Sequence, residues 1–313
     1  PDILCANNTG HLHLLLTELS LPLRKIRQKI DLNSVMNDDL AIKSRISFTC
    51  HMAEDYGKNA PLSYNKYLKV PELIMLQQTL SEPSSHDELL FIIIHQTYEL
   101  WFKQILHEID ATLEWIKEGR LFRANHSLRG VVSIEKILVM QVHLLESMAP
   151  VGFLEFRDKL NPASGFQSMQ FRELEFVSGA KDEKILNTFK DDKFAFARLT
   201  DRFNAPSLAD VFWEFTSRNG FATETHEDRV NATVEILSVP EKYAELYNMQ
   251  DLLIEHDELI ISWRYNHILM VERMLGMKRG TGGSEGVGYL MTTLTKKFYP
   301  ELWEARTHLQ VNR

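Results

Sequence analysis

Apolar residues recur at intervals of three and four along most of the chain, and no stretch keeps the strict alternation of a half-buried strand. This spacing is typical of helices that bury one face. Helices are predicted over residues 11–55, 85–119, 123–148, 166–177, 208–217, 240–276 and 289–298. The pattern therefore predicts a mainly α fold, a helical bundle-like single domain, in which residues 61–313 follow an N-terminal helical extension, residues 1–60.

Several of these helices have recognisable ends. Ser85 and Glu88 have the Ser-x-x-Glu spacing of a capping box, which predicts a helix start. Gly119 and Gly276 are predicted helix stops, because glycine readily ends a helix. Pro150 is expected to end the helix that precedes it.

Composition and charge narrow the class of protein. The 313 residues are 44% hydrophobic and 25% charged, which is ordinary for a globular protein. The net charge of −8 and the lack of a basic run argue against nucleic acid and anionic membranes as partners. Two distant cysteines, Cys5 and Cys50, make no disulfide framework, and no apolar run reaches transmembrane length. A reducing, cytoplasmic location is expected.

One histidine of the last long helix is predicted to face the protein interior. Leu253, Ile260 and Met274 lie seven positions apart in register with His267, so the four residues share one helix face. The residues alone favour a core histidine whose ring is satisfied by a carbonyl group. The alternative is a metal ligand, since a lone histidine in apolar surroundings is what a five-coordinate haem iron uses.

A second histidine lies on an aromatic helix face. Phe91, Tyr98 and Phe102 stand at −4, +3 and +7 from His95. Alone, His95 is interpreted as structural. Two such histidines on two long helices favour a planar cofactor between them.

Zinc chemistry of the His-Glu-x-x-His type is not indicated. His107 is followed by Glu108, but the second histidine of that motif is missing. His86 and His256 have charged neighbours and are predicted to lie on exposed faces.

Two further features suggest that the chain binds a small molecule. Arg157 lies beside phenylalanines just before a Pro/Ser/Gly turn, where a guanidinium could bind a carboxylate; a salt bridge with Asp158 is the alternative. Residues 280–288 contain five glycines and Thr281, which allows the backbone to approach a ligand closely. This glycine-rich segment is neither a Rossmann fingerprint nor a Walker loop. A plain connection between helices is the alternative.

Four separated blocks of the sequence resemble the tryptophan 2,3-dioxygenase family. They include His-Gln-Thr-Tyr-Glu-Leu-Trp at residues 95–101 and Trp-Arg-Tyr-Asn-His at residues 263–267. The blocks lie at residues 64–68, 86–101, 156–168 and 263–290. Their order and spacing match across about residues 62–308, and residues 1–60 match poorly.

The resemblance implies a homotetramer with haem b in each subunit. Separately from the resemblance, residues 1–60 are a candidate contact with a neighbouring subunit. His267 would be the proximal iron ligand, and His95 would accept the indole N–H on the distal side. Arg157 would bind the substrate carboxylate, and Thr281 the substrate ammonium and carboxylate. Gly282 would lie beside the cofactor. The indole would pack on Phe91 and Phe153, and the segment reaching in from a neighbouring subunit would contain Tyr64, Tyr67 and Leu68.

The implied reaction is cleavage of the indole C2–C3 bond of L-tryptophan with O₂, giving N-formyl-L-kynurenine, the entry to tryptophan catabolism by the kynurenine pathway. One alternative is a haem-dependent monooxygenase on the same scaffold, acting on a tryptophan-derived indole or another aromatic amino acid. Another is a non-catalytic haem sensor. Arg157 and Thr281 argue against the sensor, because a gas sensor needs no groups that bind an amino acid.

Overall fold

The computed structural model describes residues 61–276, 278 and 287–310, and within them every regular element is a helix. The mainly α prediction is confirmed for this part of the chain. The helix predicted over residues 11–55 lies outside the described residues. The chain divides into two compact units, Pro1–Ile74 and Met75–Arg313. The boundary predicted between residues 60 and 61 stays a prediction.

The described part of the first unit holds two short helices, α1 (Tyr64–Leu68) and α2 (Val70–Leu73). The hydroxyl of Ser63 accepts a hydrogen bond from the Lys66 N–H and caps α1. Lys69 joins the two helices in the left-handed region, with φ 54°. The side chains of Tyr64 and Tyr67 are exposed.

The second unit is built on α3 (His86–Lys117), α4 (Leu121–Leu145) and α11 (Ala244–Leu275), the three longest of the described helices. Helix α4 packs along both of the others. On α3 the buried positions follow the helical period, and each fully buried side chain of this kind contributes about 1.5–3 kcal/mol relative to exposure. The buried hydrophobic residues of α3 are Ile94, Tyr98, Phe102, Ile105, Leu106, Ile109, Leu113 and Ile116.

The chain bends by 93° between α4 and the segment Pro150–Leu160. Helix α5 (Pro150–Arg157) begins at the proline that was predicted only to end α4. A short 3-10 turn, Gly165–Gln167, follows, and its capping box pairs Ser164 with Gln167. Ser168 then caps α6 (Met169–Ser178), because its hydroxyl accepts from the Phe171 N–H at 3.2 Å.

The remaining helices complete the unit. They are α7 (Glu183–Asn187), α8 (Lys193–Asn204), α9 (Leu208–Arg218), α10 (His226–Ser238), α12 (Val287–Met291) and α13 (Pro300–Ala305). Among the described residues no single helix is long and apolar enough to cross a bilayer. The pair Leu121–Leu145 and Pro150–Leu160, bent by 93°, meets the criteria of length and composition when taken together.

The predicted start of α3 is confirmed, since the helix begins at His86 with Ser85 at its N-cap. The predicted capping box is absent: the Ser85 side chain makes no cap, and Glu88 turns to the preceding segment, where it accepts from the backbone N–H groups of Leu80 (2.6 Å) and Ser81 (3.0 Å). One predicted helix end is wrong. The helix predicted to reach residue 298 ends at Met291. The predicted stop of the long helix at Gly276 is confirmed, with φ 58°.

Candidate functional site

A cavity of about 300 Å³ lies inside the second unit, between α3, α5, α6 and α11. Its lining is mostly apolar, with a few charged and polar groups, as ligand sites usually are. The cavity brings together five residues that the sequence singled out, and they come from three helices: Phe91, His95, Phe153, Arg157 and His267.

His267 reaches the cavity from α11, on the helix face shared with the buried Ile260 and Met274, as its spacing predicts. The Trp263 ring stacks on the imidazole, with centroids 5.6 Å apart and planes within 8°. Burial, together with the nearby His95, lowers the pKa of His267 to about 4. The imidazole is therefore neutral at pH 7, which is the form that coordinates a metal.

His95 enters the same cavity from α3. Its Nδ1 lies 2.7 Å from the carbonyl oxygen of Phe91, one helical turn earlier. A carbonyl only accepts, so Nδ1 carries the proton and Nε2 is left as an acceptor. Burial lowers the pKa of His95 and keeps the ring neutral. This side chain can accept a hydrogen bond from an N–H group of a ligand.

An aromatic wall flanks His95. The Phe91 ring lies 4.1 Å from the imidazole centroid, and 5.6 and 5.5 Å from the rings of Phe153 and Phe156. Phe153 and Phe156 meet edge to face. The wall offers apolar faces on which a flat aromatic ligand could pack.

Arg157 is the last residue of α5 and lines the cavity. Its Nη1 lies 3.7 Å from Asp158 Oδ1, so the salt bridge weighed as an alternative is present. The Asp158 side chain is 93% exposed, whereas that of Arg157 is 13% exposed. A long contact to a solvated carboxylate contributes little, so this ion pair and a role in binding an anion are compatible.

Sequence reasoning missed a charged cluster on the cavity wall. Glu175 accepts from Arg172 Nη1 at 2.6 Å and from Arg264 Nη2 at 2.9 Å, and all three residues line the cavity. One signal was present in the sequence: Arg264 stands one helical turn before His267. Its partner carboxylate lies 89 positions away, which no local pattern reveals.

Five predicted site residues are not part of this geometry. Thr281 and Gly282 lie outside the described residues. Tyr64, Tyr67 and Leu68 belong to α1 in the first unit, and their side chains are exposed. Their roles stay predictions.

The prediction that His256 lies on an exposed face is wrong. Its side chain is fully buried on α11, with Nδ1 2.6 Å from Glu135 Oε1 and Nε2 2.9 Å from the Ser178 hydroxyl. The charged neighbours in sequence were misleading, because the partners that offset the cost of burial come from α4 and α6. His86 is exposed, as predicted.

The chain is similar to known proteins over most of its length. The family profile described as tryptophan 2,3-dioxygenase matches residues 49–210 and 218–309. A tryptophan 2,3-dioxygenase of Nocardioides sp. is 47% identical over 257 residues, which cover 80% of this chain and 96% of the relative. Those of Herpetosiphon aurantiacus and Caulobacter vibrioides are 44% and 40% identical, each covering 79% of this chain and 98% of the relative. The chain belongs to the tryptophan 2,3-dioxygenase family.

Proposed function

We propose that this protein is a haem-dependent dioxygenase that cleaves the indole C2–C3 bond of L-tryptophan with O₂ and releases N-formyl-L-kynurenine. The observation that carries the proposal is one cavity lined by two neutral histidines from two long helices, with an arginine at its wall. Membership of the family, whose named relatives are tryptophan 2,3-dioxygenases, supports the same reaction.

The residues present fit haem b. His267 is neutral, reaches the cavity from an apolar helix face, and has its ring plane set by stacking on Trp263. These are properties of a proximal haem ligand. When bound, the haem supplies the iron that activates O₂.

The residues around His95 fit L-tryptophan. Phe91 and Phe153 offer apolar faces to an indole. His95 Nε2 is an acceptor for the indole N–H, and Arg157 is suited to bind the carboxylate. Thr281 is proposed to contact the ammonium and carboxylate groups, and Gly282 to lie beside the haem.

In this proposal the protein contributes orientation and exclusion of water. Contacts at both ends of the amino acid hold the indole at one place in the cavity, which removes much of the entropic barrier to its reaction. The apolar wall keeps water away from the reacting carbon atoms. His95 stays neutral and holds the indole nitrogen without competing for the iron.

A homotetramer is part of the proposal. Helices α3 and α4 expose apolar side chains at helical spacing, which a second copy could cover: Leu89, Ile93, Leu100, Ile137, Met140 and Leu144. Tyr64, Tyr67 and Leu68 are exposed in the single chain, as expected of a segment that contributes to a neighbouring subunit. A cytoplasmic location is proposed from the two distant cysteines.

Turnover of L-tryptophan by haem-loaded protein under ¹⁸O₂ tests the function. The dioxygenase predicts product that carries both labelled oxygen atoms. A product with one labelled atom would instead identify the monooxygenase alternative. Anaerobic titration of the ferrous protein with L-tryptophan tests the sensor alternative: a haem that does not respond to tryptophan, with no product after air is admitted, would favour it.

A further inference from the structure

A buried carboxylate on α6 connects two segments that line the cavity. Glu175 accepts from Arg172 through Oε2, at 2.6 Å, and from Arg264 through Oε1, at 2.9 Å. All three side chains are less than a tenth exposed. Because each carboxylate oxygen has its own guanidinium, the position of Glu175 fixes both arginines at once.

The first arginine holds the short turn before α6. Arg172 Nε donates to the carbonyl oxygen of Phe166 at 3.3 Å, and its guanidinium carbon lies 4.5 Å from the centroid of the Phe166 ring. Phe166 and its neighbour Gly165 both line the cavity. Glu175 therefore acts on this turn, Gly165–Gln167, through Arg172.

The second arginine holds the segment that follows α12. Arg264 Nη1 donates to the carbonyl oxygen of Lys296 at 3.0 Å and, more weakly, to that of Thr293 at 3.4 Å. Thr293 lines the cavity, and Arg264 stands one turn before His267 on α11. The same carboxylate is thus linked to the segment 293–296 and to the helix that carries the proposed iron ligand.

Glu175 is the carboxylate that lies between the buried guanidinium groups of Arg172 and Arg264. Its removal would leave two buried guanidiniums close together without the anion between them, which is strongly unfavourable. Their hydrogen bonds to the Phe166 and Lys296 carbonyls would be strained together. We propose that Glu175 is a positioning residue, which holds the Phe166 turn and the segment 293–296 in the places that a bound substrate requires.

The chain supplies a matched control two residues away. Glu173 is also on α6, is also buried, and also pairs with two arginines, since its Oε1 lies 2.8 Å from Arg198 Nε and 3.8 Å from Arg202 Nε. It does not line the cavity. Glu173→Gln removes a comparable buried charge from the same helix, so any effect of Glu175→Gln beyond it reports on the cavity.

Hydrogen–deuterium exchange tests positioning directly on the haem-loaded protein. In Glu175→Gln we expect exchange to accelerate about tenfold in residues 164–168 and in residues 292–298 together, because both lose their common support. In Glu173→Gln neither segment should change. Acceleration of one segment only, or the same pattern in both variants, would overturn the proposal.

Steady-state kinetics give the second readout, which rests on the proposed function. We expect the Michaelis constant for L-tryptophan to rise about tenfold in Glu175→Gln, with a much smaller change in kcat. An unchanged Michaelis constant would also overturn the proposal. If wild-type protein fails to cleave tryptophan, the proposed function fails, while the exchange experiment still decides the role of Glu175.

A conservative variant covers the case in which Glu175→Gln does not fold. Glu175→Asp keeps the charge but shortens the side chain by one methylene group, so it can reach one arginine better than both. We expect exchange intermediate between wild type and Glu175→Gln in both segments. Wild-type exchange in both segments of the aspartate variant would contradict the requirement for a bridge of this length.

Discussion

Two histidines of α11 differ in what surrounds their ring nitrogens. His256 is packed with Glu135 and Ser178, so both ring nitrogens have partners inside the protein. His267, three turns later, has a stacked tryptophan on one side and a cavity on the other. Burial alone therefore does not mark a functional histidine. What marks it is a ring whose surroundings leave a place for something outside the chain.

The pKa values of these two side chains separate in the same way. Burial alone would lower the pKa of His256, but the Glu135 carboxylate raises it above its usual value. Burial lowers the pKa of His267 to about 4, and the nearby His95 adds to the effect rather than offsetting it. The higher pKa of His256 favours its protonated form, whereas the lower pKa of His267 favours a neutral ring with a free lone pair.

The largest effect is expected at His267. His267→Ala should lose its haem while keeping its helical content, because the cavity would retain its walls but not its ligand. Absorbance at the haem band, compared with circular dichroism, measures the two properties. Added imidazole should restore part of the haem. Full haem occupancy in the variant without imidazole would remove His267 from the ligand role.

His256→Leu should give the opposite outcome. We expect the free energy of unfolding to fall by about 3–5 kcal/mol, because Glu135 would lose the partner of a buried ion pair. Haem content per folded chain should stay at the wild-type value. Urea unfolding and the haem band check the two parts. A stable variant that lacks haem would abolish the distinction between the two histidines.

Arg157→Ala tests whether the cavity beside His267 binds the substrate, and it leaves the proposed iron ligand in place. We expect binding of L-tryptophan to weaken by about 2–5 kcal/mol, since a charged contact to the carboxylate would be lost. Tryptamine, which lacks the carboxylate, is the control and should bind the variant and the wild type alike. Unchanged affinity for L-tryptophan would take Arg157 out of the substrate site.

Glu88 is expected to make a smaller contribution to the free energy of unfolding, and this contribution depends on pH. Burial would raise its pKa, but hydrogen bonds from Leu80 and Ser81 lower it below its usual value. The carboxylate therefore stabilises the fold above its unfolded-state pKa, and this contribution is lost as the pH falls through the folded value.

At neutral pH, Glu88→Gln should lower the free energy of unfolding by about 1–2 kcal/mol. The difference between variant and wild type should shrink on acidification, as wild-type Glu88 becomes neutral too. Urea titrations across the acid range measure it. A difference that is independent of pH would mean that the charge of Glu88 is irrelevant.

The spacing of residues along the sequence predicted those features that depend on a single helix. The spacing of Ile260, His267 and Met274 on one helix predicted a histidine that faces inward, and Gly276 predicted the end of that helix. The aromatic face around His95 was equally local. The family resemblance assigned one ambiguous histidine to a cofactor and the other to a substrate, and these two roles stay predictions.

The spacing of residues did not predict contacts between helices that are distant in the sequence. His256 was misread because its partner Glu135 lies 121 positions away on another helix. The Glu175 cluster joins residues 89 positions apart, and Glu88 prefers donors outside its helix to the cap that its spacing suggests. In each case a polar group looks exposed in sequence and is buried because another element supplies its partner.

The hydrogen bond from His95 to Phe91 makes the imidazole tautomer independent of the side chain at position 91. The acceptor is the backbone carbonyl of residue 91, not its side chain. Replacing that phenylalanine would reshape the cavity wall but leave the imidazole proton on Nδ1. The tautomer is thus protected against mutation, because every amino acid supplies the same carbonyl as long as the helix persists. The side chain at position 91 is free to vary with the shape of the ligand while the acceptor at Nε2 stays constant.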